Sequence, residues 1–230
     1  MTGSPRPQPV EERLADRLVE QAEAGPARRR ASSLLRRLAG YDRAVYRSVA
    51  RMPTPRLDEP LRQVSDFANF SKPWFLAAGA LALLGGPRGR HAALTGLTAI
   101  GAASLVVNQP MKKSMGERVR PDREGLGVPT QRWVRMPSSG SFPSGHSASA
   151  VAFAVAVGEV LPALRPVGRV AATVVAFSRV YTGVHYPSDV LVGATVGALF
   201  GRLAGRIALR RWPLSTSTRK RQMYDKEHMS

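Results

Sequence analysis

The sequence predicts an all-α protein, an integral membrane helical bundle of five spans, or six. Three observations carry this. Five nearly uncharged stretches follow one another: Trp74–Leu84, Ala92–Val107, Ser147–Leu161, Val170–Val180 and Val190–Leu209. Turn-rich basic loops separate them. Ala and Gly recur in them at helical spacing, which lets helices pack closely in lipid. Most of the stretches fall short of the ~20 residues that a span needs, so flanking polar residues must complete several of them. The competing expectation is the buried core of a soluble helical protein.

The first element, residues 1–31, reads as a mobile polar and basic tail. Pro5, Pro7 and Pro9 precede a charged helical pattern from Val10 to Ala24, which Gly25-Pro26 breaks. No apolar core of a secretory signal is visible there. Residues 32–71 form an amphipathic helical region. Within 32–51, Leu34, Leu35, Leu38, Tyr41, Val45 and Val49 recur at helical spacing, interleaved with Arg36, Arg37, Arg43 and Arg47. That pattern suits a helix on an anionic membrane surface, or one packed on the rest of the domain. Pro53, Pro55 and Pro60 break the chain, and 61–71 reads as a short helix. Residues 72–211 form the membrane-embedded domain, and 212–230 a basic tail. Trp74 and Trp212 suit either interface anchoring or packing. Glu159, Arg202 and Arg206 are charges at membrane depth without a catalytic role.

Charge narrows the function. The chain has 230 residues, with 34 Lys and Arg against 16 Asp and Glu, a net +18. Its mean hydropathy is only −0.16, because the polarity is concentrated towards the ends. Such a protein seeks anions: nucleic acid, anionic headgroups or a phosphorylated substrate. Cysteine is absent, which excludes disulfides, zinc thiolates and a thiol nucleophile.

Three segments place polar residues at the ends of apolar helices. The first runs from Lys113 through Arg120 to Pro121. The second is Ser141-Phe142-Pro143-Ser144-Gly145-His146. The third runs from Ser178-Arg179 through His185 to Asp189. Lys113, Arg120 and Arg179 are three cations of the kind that stabilise a phosphoryl group in transfer. Ser144 suits an N-cap, Gly145 admits a ligand close to the backbone, and a helix start binds anions. If the turn after Pro187 is helical, Asp189 lies beside the His185 ring. It can then take the proton of one ring nitrogen and leave the other to attack. His146, when protonated, can donate to the departing oxygen. His91 and His228 keep no such company. Arg88, Arg90, Arg132, Arg135 and the tail residues Arg219, Lys220 and Arg221 read as solvated or headgroup-facing charge. Arg123 and Arg132 are also weighed as lining the mouth of the site.

In order and spacing, the three segments resemble the signature motifs of the type-2 phosphatidate phosphatase superfamily. That superfamily also includes bacterial class A acid phosphatases and vanadium haloperoxidases. Its patterns K-x6-R-P, P-S-G-H and S-R-x5-H-x3-D are each filled, and the resemblance covers residues 72–209. It implies a membrane lipid phosphatase, acting on a phosphatidate-type lipid or a polyprenyl phosphate or diphosphate. His185 would be the nucleophile, Asp189 its orienting partner, and His146 the acid and then the base. Lys113, Arg120, Ser144, Gly145 and Arg179 would bind the phosphate. It implies neither metal nor cofactor. Glu117, Asp122 and Glu124 do not form an obvious magnesium cage.

Two alternatives stand beside this reading. One is a soluble or peripheral acid phosphatase or vanadate-dependent haloperoxidase of the same superfamily. The other is a non-enzymatic binder of anionic lipid or nucleic acid, although no nucleic-acid reading module is visible. Arg88 and Arg90, Arg165 and Arg169, and Arg210 and Arg211 fall on the face opposite the motifs. By the positive-inside rule this places the site outside the cytoplasm, in a multi-pass cell-membrane protein. The lipid tail, the side of the N-terminal segment and the oligomeric state stay open.

Overall fold

The computed structural model describes residues 26–111 and 118–211, with side chains from Arg36 onward except Pro110. Residues 1–25 of the expected 1–31 tail, the 212–230 tail, the Val10–Ala24 pattern and Trp212 lie outside the described residues. The chain divides into two units, Met1–Val45 and Tyr46–Ser230. In the first, helix α1 (Pro26–Ala50) is already under way by Val45. Pro26 therefore opens a helix inside the segment expected as tail, because proline is pre-set for a first turn.

The second unit holds the end of α1, then α2 (Pro55–Phe67), α3 (Lys72–Leu84), α4 (Gly86–Val106), α5 (Gly145–Val160), α6 (Arg165–Tyr181) and α7 (Pro187–Arg211). No strand occurs among the described residues. Each of the five apolar stretches is a helix, α3 to α7. Helix α2 departs from expectation, since Pro55 begins it and Pro60 sits inside it. Pro60 forfeits one backbone hydrogen bond. The helix persists because Asp58, Leu61 and Ser65 are buried along one side.

Small residues fill the contact between α4 and α5, and many large apolar side chains lie on the outer face. Ala92, Ala99 and Ala103 of α4 and Ala148, Ala152 and Ala156 of α5 are fully enclosed. Leu76, Leu83, Leu84, Leu94, Val167, Val170, Leu191 and Leu199 point outward and stay exposed. Water would penalise that arrangement, whereas lipid accepts it. Trp74 lies inside, its ring 5.6 Å from that of Phe153, so packing and not interface anchoring explains it. Gly86–Gln109 and Pro187–Arg211 are each long and apolar enough to cross a membrane. Helices α3, α5 and α6, with 13, 16 and 17 residues, are shorter. At 1.5 Å per residue they reach only about 20–26 Å of a ~30 Å hydrocarbon core.

Arg132 is buried, contrary to the solvated or mouth-lining role expected of it. Its Nε donates to Asp58 Oδ1 at 2.7 Å. Its other nitrogens donate to the carbonyls of Val49, Ala50 and Met52 at 3.2, 3.2 and 2.6 Å. Val49 and Ala50 close α1 and Met52 follows it, so the guanidinium gathers the carbonyls where the helix ends and its ladder stops. Its carbon also lies 4.2 Å from the centre of the Tyr181 ring.

Helices α5 and α7 share the most extensive interface. Gly193, Gly197, Gly201 and Gly205 form a stripe on α7 that rests on α5. A Cβ at Gly193 would lie 2.3 Å from Ser144 O, and one at Gly197 2.3 Å from Ala148 O. At Gly201 it would lie 2.7 Å from Ala152 O, and at Gly205 2.5 Å from Glu159 Cβ. Only glycine permits this approach. Helices α3, α5 and α7 begin, and α4 and α6 end, at one end of the bundle, which gathers the three motif segments there.

Gly197→Val should therefore force α5 and α7 apart, costing at least the roughly 1–3 kcal/mol of an overpacked core. Thermal unfolding in detergent should show a lower Tm. Gly79→Ala and Gly101→Ala, where a Cβ meets nothing within 4 Å, should leave the Tm unchanged or raised.

Candidate active site

The third motif is shaped by the end of α6. Gly183 takes a left-handed φ of 74°, which turns the chain back after Thr182. Val184 and His185 N–H then both donate to Arg179 O, at 3.1 and 3.2 Å. His185 is thereby laid against the buried Arg179. Arg179 Nη1 donates to Ser65 O at 2.9 Å and Ser65 Oγ at 2.6 Å. Its Nε is buried without a hydrogen-bond partner.

Asp189 lies in the first turn of α7 with no exposed surface. Its Oδ2 accepts the Tyr186 N–H at 2.9 Å, and its Oδ1 accepts from Arg118 Nη1 at 2.7 Å. Arg118 also donates to Ser188 Oγ at 2.7 Å and stacks 4.5 Å above the Tyr186 ring. The four-residue spacing does place the carboxylate beside His185, with Nδ1 3.6 Å from Asp189 Oδ2. That is longer than a hydrogen bond, and Nδ1 has no other partner. The opposite nitrogen, Nε2, lies 3.4 Å from Arg120 Nη1.

The second motif starts α5. Ser144 is its N-cap and is wholly buried, and Ser144 Oγ accepts from Ser147 N–H at 3.4 Å and Ser147 Oγ at 3.0 Å. Its own N–H donates to Asp189 O at 2.9 Å, which ties the second motif to the third. A Cβ at Gly145 would meet Asn108 Oδ1 at 3.7 Å, ordinary contact, so packing alone does not demand glycine. What glycine leaves there is room in the cavity. His146 follows in the first turn, with Nε2 3.0 Å from Asn69 Oδ1.

Of the first motif, Lys113 lies outside the described residues. Arg120 donates from Nε to Ser139 O at 2.9 Å, from Nη1 to Val184 O at 2.7 Å and from Nη2 to Gly140 O at 3.2 Å. Arg123 donates to Val134 O and packs on the Trp133 ring, and it does not line the cavity.

A cavity of about 200 Å³ opens between these elements, lined by Arg120, Gly145, His146 and His185 together with Asn108 and Ser71. It is smaller than the roughly 300–1,000 Å³ of pockets that enclose a drug-sized ligand. It suits a phosphoryl group and the first atoms beyond it. Burial pushes the His185 pKa down to about 4; Arg179 and Arg120 push the same way and Asp189 opposes them. The ring is therefore neutral near pH 7, as an attacking nitrogen must be. Burial also lowers Arg120, against the opposing charge of Asp189. Among the described residues no group of three or more His, Asp or Glu side chains is placed to hold a metal ion.

The expected residues His146, His185, Asp189, Arg120, Ser144, Gly145 and Arg179 thus meet at one end of the bundle. Ser144, Asp189 and Arg179 stand behind the cavity wall and not in it. Arg118 and Asn69 were not foreseen. Arg118 sits in the variable stretch of the first motif, and nothing in the sequence marks Asn69.

The sequence matches the PAP2 superfamily over residues 92–213. It is 36% identical over 147 residues to a Mycobacterium tuberculosis protein named decaprenylphosphoryl-5-phosphoribose phosphatase, covering 63% of this chain and 76% of that one. A Mycolicibacterium smegmatis protein of the same name is 35% identical over 134 residues, covering 57% and 68%. The fold is similar to that of the transmembrane PAP2-type phosphatidylglycerolphosphate phosphatase of Bacillus subtilis. There the TM-score is 0.60 and identity 26%, over 77% of this chain and 89% of that one. Aquifex aeolicus LpxE shares the fold at a TM-score of 0.53 and 22% identity, over 70% and 92% of the two chains. With a membrane-type helical fold in common and the match spanning most of the site, the chain belongs to the PAP2 superfamily and is a phosphoric-ester hydrolase.

Proposed function

We propose that the protein removes a terminal phosphate from a polyprenyl-anchored or similar lipid headgroup through a phosphohistidine on His185. The observation that carries this reading is the shared cavity: two histidines far apart in the chain face it beside Arg120. His185 Nε2 attacks phosphorus in line as the ester P–O bond breaks, and His146 gives its proton to the leaving oxygen. The N–P bond leaves positive charge on the ring, which draws Nδ1–H onto Asp189 across the present 3.6 Å. Water then attacks phosphorus, His146 takes its proton, and His185 departs neutral.

Arg120, the unpartnered Nε of Arg179, the N–H groups at the start of α5 and Lys113 hold the phosphoryl oxygens. Ser144 acts through its cap, which fixes that helix start. The exposed leucines around the bundle support a substrate whose tail stays in the bilayer. The names of the mycobacterial relatives support a sugar phosphate on a polyprenyl carrier. The arginine pairs at the far end of α4, α6 and α7 support a site on the extracytoplasmic face.

The direct test is phosphate release by the detergent-solubilised full chain. The panel holds a prenylphosphoryl pentose phosphate, a prenyl diphosphate and phosphatidate. At least one should turn over with chelator present, and His185→Ala should lose several orders of magnitude while staying folded. A variant that kept near-normal rates would remove His185 from its role.

Titration offers a second test. The folded pKa of about 4 lies below the 6.5 of an unfolded histidine. As pH falls, the unfolded chain takes up this proton first. The stability that neutral His185 contributes is therefore full above pH 6.5 and drains away down to pH 4. Thermal unfolding of wild type should weaken through that window more than that of His185→Gln. The nucleophile should also set no limb in kcat/KM above pH 5.

A further inference from the structure

The turn between α2 and α3 belongs to none of the motifs and lies outside the matched residues 92–213. Yet it reaches the site. Phe70 and Ser71 both adopt left-handed φ values of 57°, and neither is glycine. Such conformations persist only where the surroundings over-determine them, and they collect at functional sites. Both residues line the cavity. The residue just before them, Asn69, sets its Oδ1 3.0 Å from His146 Nε2, a contact spanning 77 positions of chain.

The two histidines face chemically different partners. His185 faces a carboxylate, which stabilises the positive charge its ring gains on attack. His146 faces a carboxamide, which orients a ring without adding charge. A carboxylate there would grip the very proton that has to leave. A neutral acceptor on Nε2 fixes the orientation of the ring without itself holding back the proton.

We propose that Asn69 is a positioning residue for the general acid: it holds the His146 ring by Nε2 while leaving its proton labile. This rests on the histidine-pair reading above. In the step concerned, the P–O bond breaks, the N–P bond to His185 forms, and the proton moves from His146 to the leaving oxygen. Among the described residues, the other charged or titratable side chains lining the cavity are Arg120 and His185.

The test uses the full chain in detergent with two substrates of unequal leaving group. An alkyl phosphate expels a poorly acidic alcohol and depends on the acid; p-nitrophenyl phosphate expels a stable phenolate and hardly does. Asn69→Ala should lower kcat on the alkyl phosphate by roughly 10²-fold, with little change in KM and only a few-fold loss on the nitrophenyl ester. His146→Ala should discriminate in the same direction and more strongly. Asn69→Asp keeps the acceptor and should move the alkaline limb of kcat up by about one pH unit; it also serves if the alanine variant does not fold. Equal losses on both substrates for Asn69→Ala, or an unshifted limb for Asn69→Asp, would overturn the proposal while His146→Ala still discriminates. If His146→Ala itself fails to discriminate, the acid assignment beneath the proposal falls with it.

Discussion

The close approach of α5 and α7 is the constraint on which the site depends. Four glycines at one-turn spacing let the backbone of α7 rest on Ser144, Ala148, Ala152 and the stem of Glu159. No side chain can be interposed along that line, so the relative height of the two helices is fixed. That height puts Ser144 N–H on the Asp189 carbonyl, and hence the helix start bearing His146 beside the turn bearing His185. In a bundle whose outer face is apolar, close van der Waals contact of this kind must hold the helices together, because exposed leucines gain little by turning inward from lipid.

Around that contact the site is assembled from cations whose donors are mostly spent on the protein. Arg120 is bound to three backbone carbonyls and Arg179 to Ser65. Their geometry is fixed before a substrate arrives, which is the condition for electrostatic stabilisation without reorganisation. The carboxylate of Asp189 is divided between Arg118 and the Tyr186 amide and stands just beyond hydrogen-bonding range of the His185 ring. Burial beside two guanidiniums keeps that ring unprotonated. On the proposed mechanism it becomes cationic only when phosphorus is bonded to it and anionic oxygens stand opposite the same arginines.

How legible this was in the sequence follows from which interactions are local. The five helices α3 to α7 were visible because runs of Ala, Val, Leu and Gly between basic turns admit little else. The pairing of His185 with Asp189 was visible because the spacing acts within one turn. The motifs told which residues meet, but the stripe that makes them meet was only a general abundance of small residues. Arg132 was misread because its partners, Asp58 and the last carbonyls of α1, are remote in sequence. Asn69 was invisible for the same reason, since a single asparagine before two residues in strained φ carries no pattern.

The modest cavity and the apolar flank divide recognition between them. A space of about 200 Å³ can read a phosphate and the atoms next to it, but nothing longer. Any preference among lipids must then come from the mouth, where Phe70 stands 86% exposed beside the entrance, and from the bilayer that holds the tail. The mean hydropathy of −0.16 reflects charge concentrated towards the two ends of the chain, while the helical middle is rich in Ala, Gly, Val and Leu. A site that spends its specificity on phosphate and leaves the tail to the lipid phase can act on several anchored phosphates with one set of catalytic groups. On the proposed mechanism, what separates those substrates kinetically is the acidity of the leaving oxygen, and so the placement of the His146 proton.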